Sequence, residues 1–223
     1  MQKALALLEA AFGDMGLDNL QALNMGQRDA RLLDVRRQLF GARLAGLVDC
    51  PVCGAALEFN CHMDTLACAS KDGSDADLTI KTDGYTISFR LPTCEDLAAV
   101  PDPYTPPDAR LMLLRRCVLD ARNQGHVLAF DQIPADMLDT IELRMSEAEP
   151  QADVSLAMKC EGCGHQWSAP FDIFAFTWRE VETWALRTLQ QVHELAMHYG
   201  WRESDILAMN PKRRQLYINL STP

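Results

Sequence analysis

The chain lacks any apolar stretch that reads as a membrane span, any Gly-rich phosphate loop and any nucleophile elbow. It is poor in positive charge, with 21 Lys+Arg against 31 Asp+Glu and a formal net charge of −10. Such a surface repels phosphate backbones at long range, so nucleic-acid binding is not the expected function. The basic doublets Arg36-Arg37, Arg115-Arg116 and Arg213-Arg214 are far apart and read as solvated helix faces or protein contacts. The many carboxylates form no spacing that implies a paired acid and base. His193-Glu194-Leu195-Ala196-Met197-His198 is one residue too long for a zinc-protease helix. Histidines five apart diverge by about 140° around a helix and cannot share an ion. A non-enzymatic protein is therefore expected. No internal repeat or low-complexity tract is evident. Glu9 interrupts the apolar run of the opening MQKALALLEAAFG, and no signal-peptide cleavage site follows. The expectation is a cytoplasmic chain without membrane insertion.

What is present is an ordinary globular composition, 48% hydrophobic and 23% charged over 223 residues. The eight cysteines, in a reducing compartment, suggest metal ligands or buried thiols rather than disulfides. Two pairs repeat one pattern, Cys50-Pro-Val-Cys53-Gly54 and Cys160-Glu-Gly-Cys163-Gly164. Two intervening residues let both sulfurs turn toward one ion, and the glycine eases the tight turn that follows. Together the pairs supply four thiolates, enough for one closed, structural Zn²⁺ site with no open position for catalysis. The 106 residues between Cys53 and Cys160 would then form an insertion whose neck the metal clamps. Closing so long a loop is tolerable because the entropic cost grows only logarithmically. Two separate turns with free thiols, or a redox-active pair, are the alternatives at this point. Cys61, Cys68, Cys94 and Cys117 read as structural thiols, and His165 as a neighbour of the site rather than a ligand.

The predicted fold is α+β and mainly helical: a split four-cysteine zinc ribbon with a long insertion and a C-terminal helical region. Helical segments fill residues 1–43, with periodic helices over 3–12 and 28–40 and a turn-rich connection between them. The first half of the ribbon occupies 44–72, with small strands around the knuckle and a second short run near Leu66. The insertion spans 73–153. Residues 71–77 read as a surface loop, and within the insertion Asp83-Gly84 joins two alternating runs as a hairpin. Thr93 and Asp96 form a capping box. Pro101–Pro107 cannot be regular helix, 108–122 and 134–143 are expected helices, and 146–153 is a polar junction. The second half of the ribbon spans 154–172. The C-terminal region, 173–223, holds the longest helix, stopped by Gly200, then a brief helix over 203–209 and a last one started by Asn210-Pro211.

Aromatic rings crowd the end of the chain: Trp167, Phe171, Phe174, Phe176, Trp178, Trp184, Tyr199, Trp201 and Tyr217. They suit either a core or a partner-binding groove. Trp178 and Trp201 are the strongest candidates for direct partner contact.

The runs Asp172-Ile-Phe-Ala-Phe-Thr-Trp-Arg-Glu180, Val192-His-Glu-Leu-Ala196 and Tyr199-Gly-Trp-Arg-Glu through Tyr217 resemble the phage-T4-type baseplate hub assembly chaperones. That family serves contractile tails and phage-like contractile injection systems. Leu20–Leu33, Phe89-Arg-Leu-Pro-Thr93, and Cys50–Gly54 followed by Leu57-Glu58-Phe59 fit the same pattern. The resemblance implies an assembly factor or small structural adaptor of a baseplate or hub. Its partners would be baseplate, hub, spike or tail-tube proteins, and it would remain cytoplasmic or enter a phage-like particle. It marks Tyr199, Gly200, Trp201, Glu203, Ile206, Leu207, Pro211, Arg213, Arg214 and Tyr217 as signature residues. Tyr199, Trp201, Arg213, Arg214 and Tyr217 thus join Trp178 as candidate partner-binding residues. The competing reading is a zinc-ribbon adaptor for nucleic acid, which requires a coherent basic surface near the knuckles.

Overall fold

A computed structural model describes residues 2–13, 16–66, 78–100 and 106–221. Cys68, the 71–77 loop and the 101–105 part of the proline-rich stretch lie outside the described residues. The fold is α+β and mainly helical. It separates into two compact units, residues 1–174 and 175–223.

The first unit begins with helices α1 (Gln2–Ala11), α2 (Leu17–Gln21) and α3 (Met25–Phe40). Leu5, Leu8, Leu20, Leu32 and Leu33 are buried. Helix α3 starts three residues before the predicted position. A capping box sets that start: the Asn24 side chain accepts from the Gln27 amide at 2.8 Å, and Gln27 Oε1 accepts from the Asn24 amide at 3.2 Å. Arg36 is buried at 2% exposure, not solvated as expected. Its guanidinium donates to the Gly41 carbonyl at 2.5 Å and lies 3.5 Å from the Met63 sulfur. Its partner in the doublet, Arg37, is exposed and pairs with Asp64.

Strands β1 (Arg43–Asp49) and β2 (Ala56–His62) form an antiparallel ribbon. The expected second run near Leu66 is one 3-10 turn, Met63–Thr65, followed by the buried Leu66. Strands β3 (Leu78–Thr82) and β4 (Tyr85–Phe89) make the expected hairpin. Its turn residues Asp83 and Gly84 take φ of 49° and 83°, the left-handed values that a two-residue turn requires.

Helix α4 (Cys94–Ala98) starts at the Thr93–Asp96 capping box. Helix α5 (Pro106–Cys117) accommodates Pro106 and Pro107 in its first turn, where backbone amides have no helical partner. The helix predicted over 108–122 stops at Cys117, and Val118–Asn123 is strand β5. Hairpin β3–β4 has an open edge there, and β5 satisfies it with Ala121 opposite Ile87 and Val118 opposite Phe89. Gln124 and Gly125, both at positive φ, turn the chain into β6 (His126–Val127). Ile80, Ile87, Phe89 and Ala121 of this sheet pack with Leu114 of α5 and with Met137, Leu138 and Ile141 of α6 (Ala135–Ala148).

The predicted polar junction over 146–153 is instead the end of α6 and a 3-10 turn, Pro150–Ala152, lying against α3. Glu149 and Gln151 are buried there. A Cβ at Gly26 would stand 2.6 Å from Glu149 Cγ, so the absent side chain is what admits the carboxylate to the start of α3. Strands β7 (Ser155–Lys159) and β8 (Gln166–Pro170) then form a second antiparallel ribbon.

Helix α7 (Ile173–Tyr199) leads into the second unit, which adds α8 (Glu203–Leu207) and α9 (Pro211–Ser221). Val192, Leu195, Ile206 and Ile218 form its core. Asn210 Oδ1 accepts from the Lys212 amide at 2.9 Å, in keeping with its capping position before Pro211.

Candidate metal centre

Each ribbon places a six-residue turn at its end. In the first, Asp49 pairs with Ala56, leaving residues 50–55 to turn; in the second, Lys159 pairs with Gln166, leaving 160–165. The backbone bonds correspond one for one. The Cys50 amide donates to the Ala55 carbonyl and the Gly54 amide to the Cys50 carbonyl, both at 2.9 Å. The Cys160 amide donates to the His165 carbonyl at 2.8 Å and the Gly164 amide to the Cys160 carbonyl at 2.9 Å. Gly54 and Gly164 sit at φ of 70° and 74°, where a side chain would be strained.

These turns bring the sulfurs of Cys50, Cys53, Cys160 and Cys163 within 4.8 Å of one another. Cys50 Sγ lies 3.7 Å from Cys163 Sγ, and Cys53 Sγ lies 3.6 Å from Cys160 Sγ. All four are free thiols, and these separations are far longer than a disulfide of about 2.05 Å. A tetrahedral ion with Zn–S bonds of about 2.3 Å places its ligands roughly 3.8 Å apart, close to the two measured values. Cys50 and Cys160 are buried, while Cys53 and Cys163 are exposed. Among the described residues, no other group of three or more Cys, His, Asp or Glu side chains converges in this way.

The electrostatics of the cluster also suit a cation. The Cys53 amide, assisted by that of Val52, lowers the Cys50 thiol to about 7 against the cost of desolvation. The His165 amide likewise favours the Cys163 thiolate, but desolvation and the three neighbouring sulfurs outweigh it and leave that thiol at about 12. Four thiolates this close cannot all carry charge unless a metal compensates them.

The other cysteines stand apart. Burial pushes the Cys117 thiol up to about 11 and raises those of Cys94 and Cys61. Raised thiols are poor nucleophiles. The ring of His165 stacks on Trp167, with centroids 5.6 Å apart. Phe59 of β2 meets Phe171, just beyond β8, edge to face at 6.3 Å.

The candidate partner residues of the second unit are mostly engaged with one another. Tyr199 stacks on Trp201 at 4.5 Å, and Tyr217 meets Trp201 edge-on at 4.8 Å. Tyr199 Oη donates to the Tyr217 carbonyl at 3.2 Å. Arg214 is buried and donates to the Met209 and Leu207 carbonyls and to Gln191 Oε1. Arg213 is exposed, with its guanidinium 5.7 Å from the Tyr217 ring centre. Trp178, half-buried, donates its indole N–H to Glu182.

Residues 4–176, more than three quarters of the chain, match the family model described as T4 bacteriophage base plate protein. The chain belongs to this base plate family. No curated protein and no solved structure matches it. The match contains both cysteine knuckles, Leu20–Leu33 and Phe89–Thr93, and ends in the first turn of α7. The Tyr199–Tyr217 stretch, to which the sequence resemblance gave most weight, therefore lies outside the family match. Base plate membership indicates a structural or assembly role in a phage tail. No helix among the described residues is long and apolar enough to cross a membrane.

Buried polar groups in the first unit gave weaker signals in the sequence. Asp96 is buried and receives hydrogen bonds from Arg90 at 2.5 Å and Arg116 at 2.8 Å. Burial opposes its charge, but Arg90, the Thr93 amide and Arg116 outweigh burial and hold the carboxyl well below the usual range. Glu149 and Asp29 show the reverse balance. Burial raises Glu149 to about 7 against the amides of Gly26 and Gln27, and raises Asp29 to about 6 against Arg28.

Proposed function

We propose that the protein is a non-enzymatic assembly factor or small structural adaptor of a contractile-tail baseplate or hub, fastened by one structural Zn²⁺. Cys50, Cys53, Cys160 and Cys163 are its ligands, and the two ribbons are the halves of a split zinc ribbon. The observation that carries this reading is the convergence of four thiols, from turns 106 residues apart, inside the segment that matches the base plate family. Bound zinc would supply cross-linking and charge neutralisation, with no coordination position left for substrate. The intervening sheet and helices would then form an insertion held at its neck. Among the described residues, the thiols outside the cluster, Cys61, Cys94 and Cys117, are all raised, which also supports the non-enzymatic part.

Its direct partners would be baseplate, hub, spike or tail-tube proteins, met in the cytoplasm or retained in the particle. Affinity purification of the full chain from cells producing particles should recover at least one tail component in stoichiometric amount. Recovery of the chain alone under those conditions contradicts the assembly role. Zinc analysis of the same preparation tests the metal reading separately.

A further inference from the structure

Helix α7 has two apolar faces. The inner face carries Val192 and Leu195 into the core of the second unit. On the opposite side, Leu186, Leu189 and Met197 are 62%, 55% and 76% exposed. With Gln190, His193 and Glu194 they line a shallow open groove. At 100° per residue, Leu186, Gln190, His193 and Met197 fall within a stripe about 60° wide, with Leu189 at its margin. One face of the helix thus has the spacing of a helix-packing seam but no partner in the described chain.

The residues along this stripe are complementary to themselves when reversed. Laid antiparallel against a second α7 and centred on Gln191, Leu189 comes level with His193 of the other copy, and Leu186 comes within one residue, about 1.5 Å of rise, of Met197. On one edge of the same seam, Arg187 comes within one residue of level with Glu194, inside the reach of the two side chains, and the two-fold axis makes that pairing twice. The charge distribution removes the main objection to self-association. Residues 175–223 carry 6 Lys+Arg against 5 Asp+Glu, leaving 15 against 26 for residues 1–174. The acidity of the chain therefore lies in the first unit, and two copies of the second meet without strong mutual repulsion.

We infer that the outer face of α7 is a self-association surface, on which two copies of the chain pair as an antiparallel helix dimer through Leu186, Leu189, His193 and Met197, with reciprocal Arg187–Glu194 bridges. The overlap covers residues 183–199, about 25 Å of helix. Few side chains take part, so the interface falls below the standard size and the dimer is weak and concentration-dependent. This inference is independent of the metal and of the base plate role.

The test uses the full chain in sedimentation equilibrium over a range of concentrations. The wild type should pass from one copy toward two. Arg187→Glu should raise the dissociation constant about tenfold by placing like charges opposite each other twice. The double variant Arg187→Glu/Glu194→Arg, which restores opposite charges only in this antiparallel register, should return it to within about threefold of wild type. Leu189→Ser should abolish pairing, with circular dichroism unchanged. A wild type that remains one copy at all concentrations overturns the inference. So does a dimer that is insensitive to Arg187→Glu, or one that the double variant fails to restore.

Discussion

Around Cys50 and Cys160, two ribbons of two strands each bury little beyond Leu44, Ala169 and the two inner cysteines. Between α7, α8 and α9, by contrast, Tyr199, Trp201 and Tyr217 interlock over Val192, Leu195, Ile206 and Ile218. An isolated two-stranded ribbon is marginal in water, whereas a cluster of three rings is a sufficient seed for a small core. On the proposed reading the metal supplies the first region with a cross-link that the second does not need. The same division follows the family: the knuckles lie inside the base plate match, and the aromatic cluster lies beyond it.

The strongest way to break this contrast is at the metal. Cys160→Ser should release zinc, disorder both ribbons and lower stability by about 5 kcal/mol, because much of the binding energy of a structural zinc is folding energy. Metal content and a thermal melt check this, and the aromatic near-UV signal of the C-terminal helices should survive. Next in size, Trp201→Ala should destabilise the second unit by about 3 kcal/mol, as expected for loss of a packed ring. Zinc content should stay at the wild-type level. Loss of zinc in that variant would mean that the two regions are not independently held.

A smaller effect separates zinc from the proton chemistry of the first unit. Glu149 titrates near 7 when folded, above its ordinary 4.5, so the fold favours its protonated form. The stability it confers is full below about 4.5 and is lost as pH rises through 7. Asp29 has the same sign, its contribution full below about 3.8 and lost as pH rises through about 6. The proposed zinc would act oppositely, since acid protonates thiolate ligands. Glu149→Gln should therefore raise the melting temperature at pH 8, by the equivalent of about 2 kcal/mol, and leave it nearly unchanged at pH 5. Equal effects at both values would assign Glu149 a packing role instead.

Where a local rule decided the structure, the sequence was readable. Asp83-Gly84, the Thr93–Asp96 box and Asn210-Pro211 each act over four residues or fewer, and each appears in the fold. The two Cys-x-x-Cys-Gly turns were legible for the same reason, although their meeting depends on everything between them. Leu111, Leu114, Val118 and Ala121 keep a helical spacing across Cys117, yet Val118–Asn123 is strand β5. The open edge of β4 decides that segment, and edges are not visible in a periodicity. The charge of Arg36 and the polarity of 146–153 point to solvent, yet Arg36, Glu149 and Gln151 are buried. Arg36 is buried because the Gly41 carbonyl and the Met63 sulfur receive its guanidinium, and Glu149 because the side-chain-free Gly26 admits it. The Tyr199–Tyr217 rings drew attention as a partner surface, yet in the structure most of their faces are turned on one another.

Zinc-edge X-ray absorption on the purified full chain, with metal stoichiometry measured on the same sample, addresses the proposed clamp most directly. The expected result is one zinc per chain in a shell of four sulfurs at about 2.3 Å, lost when either cysteine pair is replaced. A shell containing nitrogen or oxygen, or zinc retained at full occupancy after one pair is removed, would contradict it.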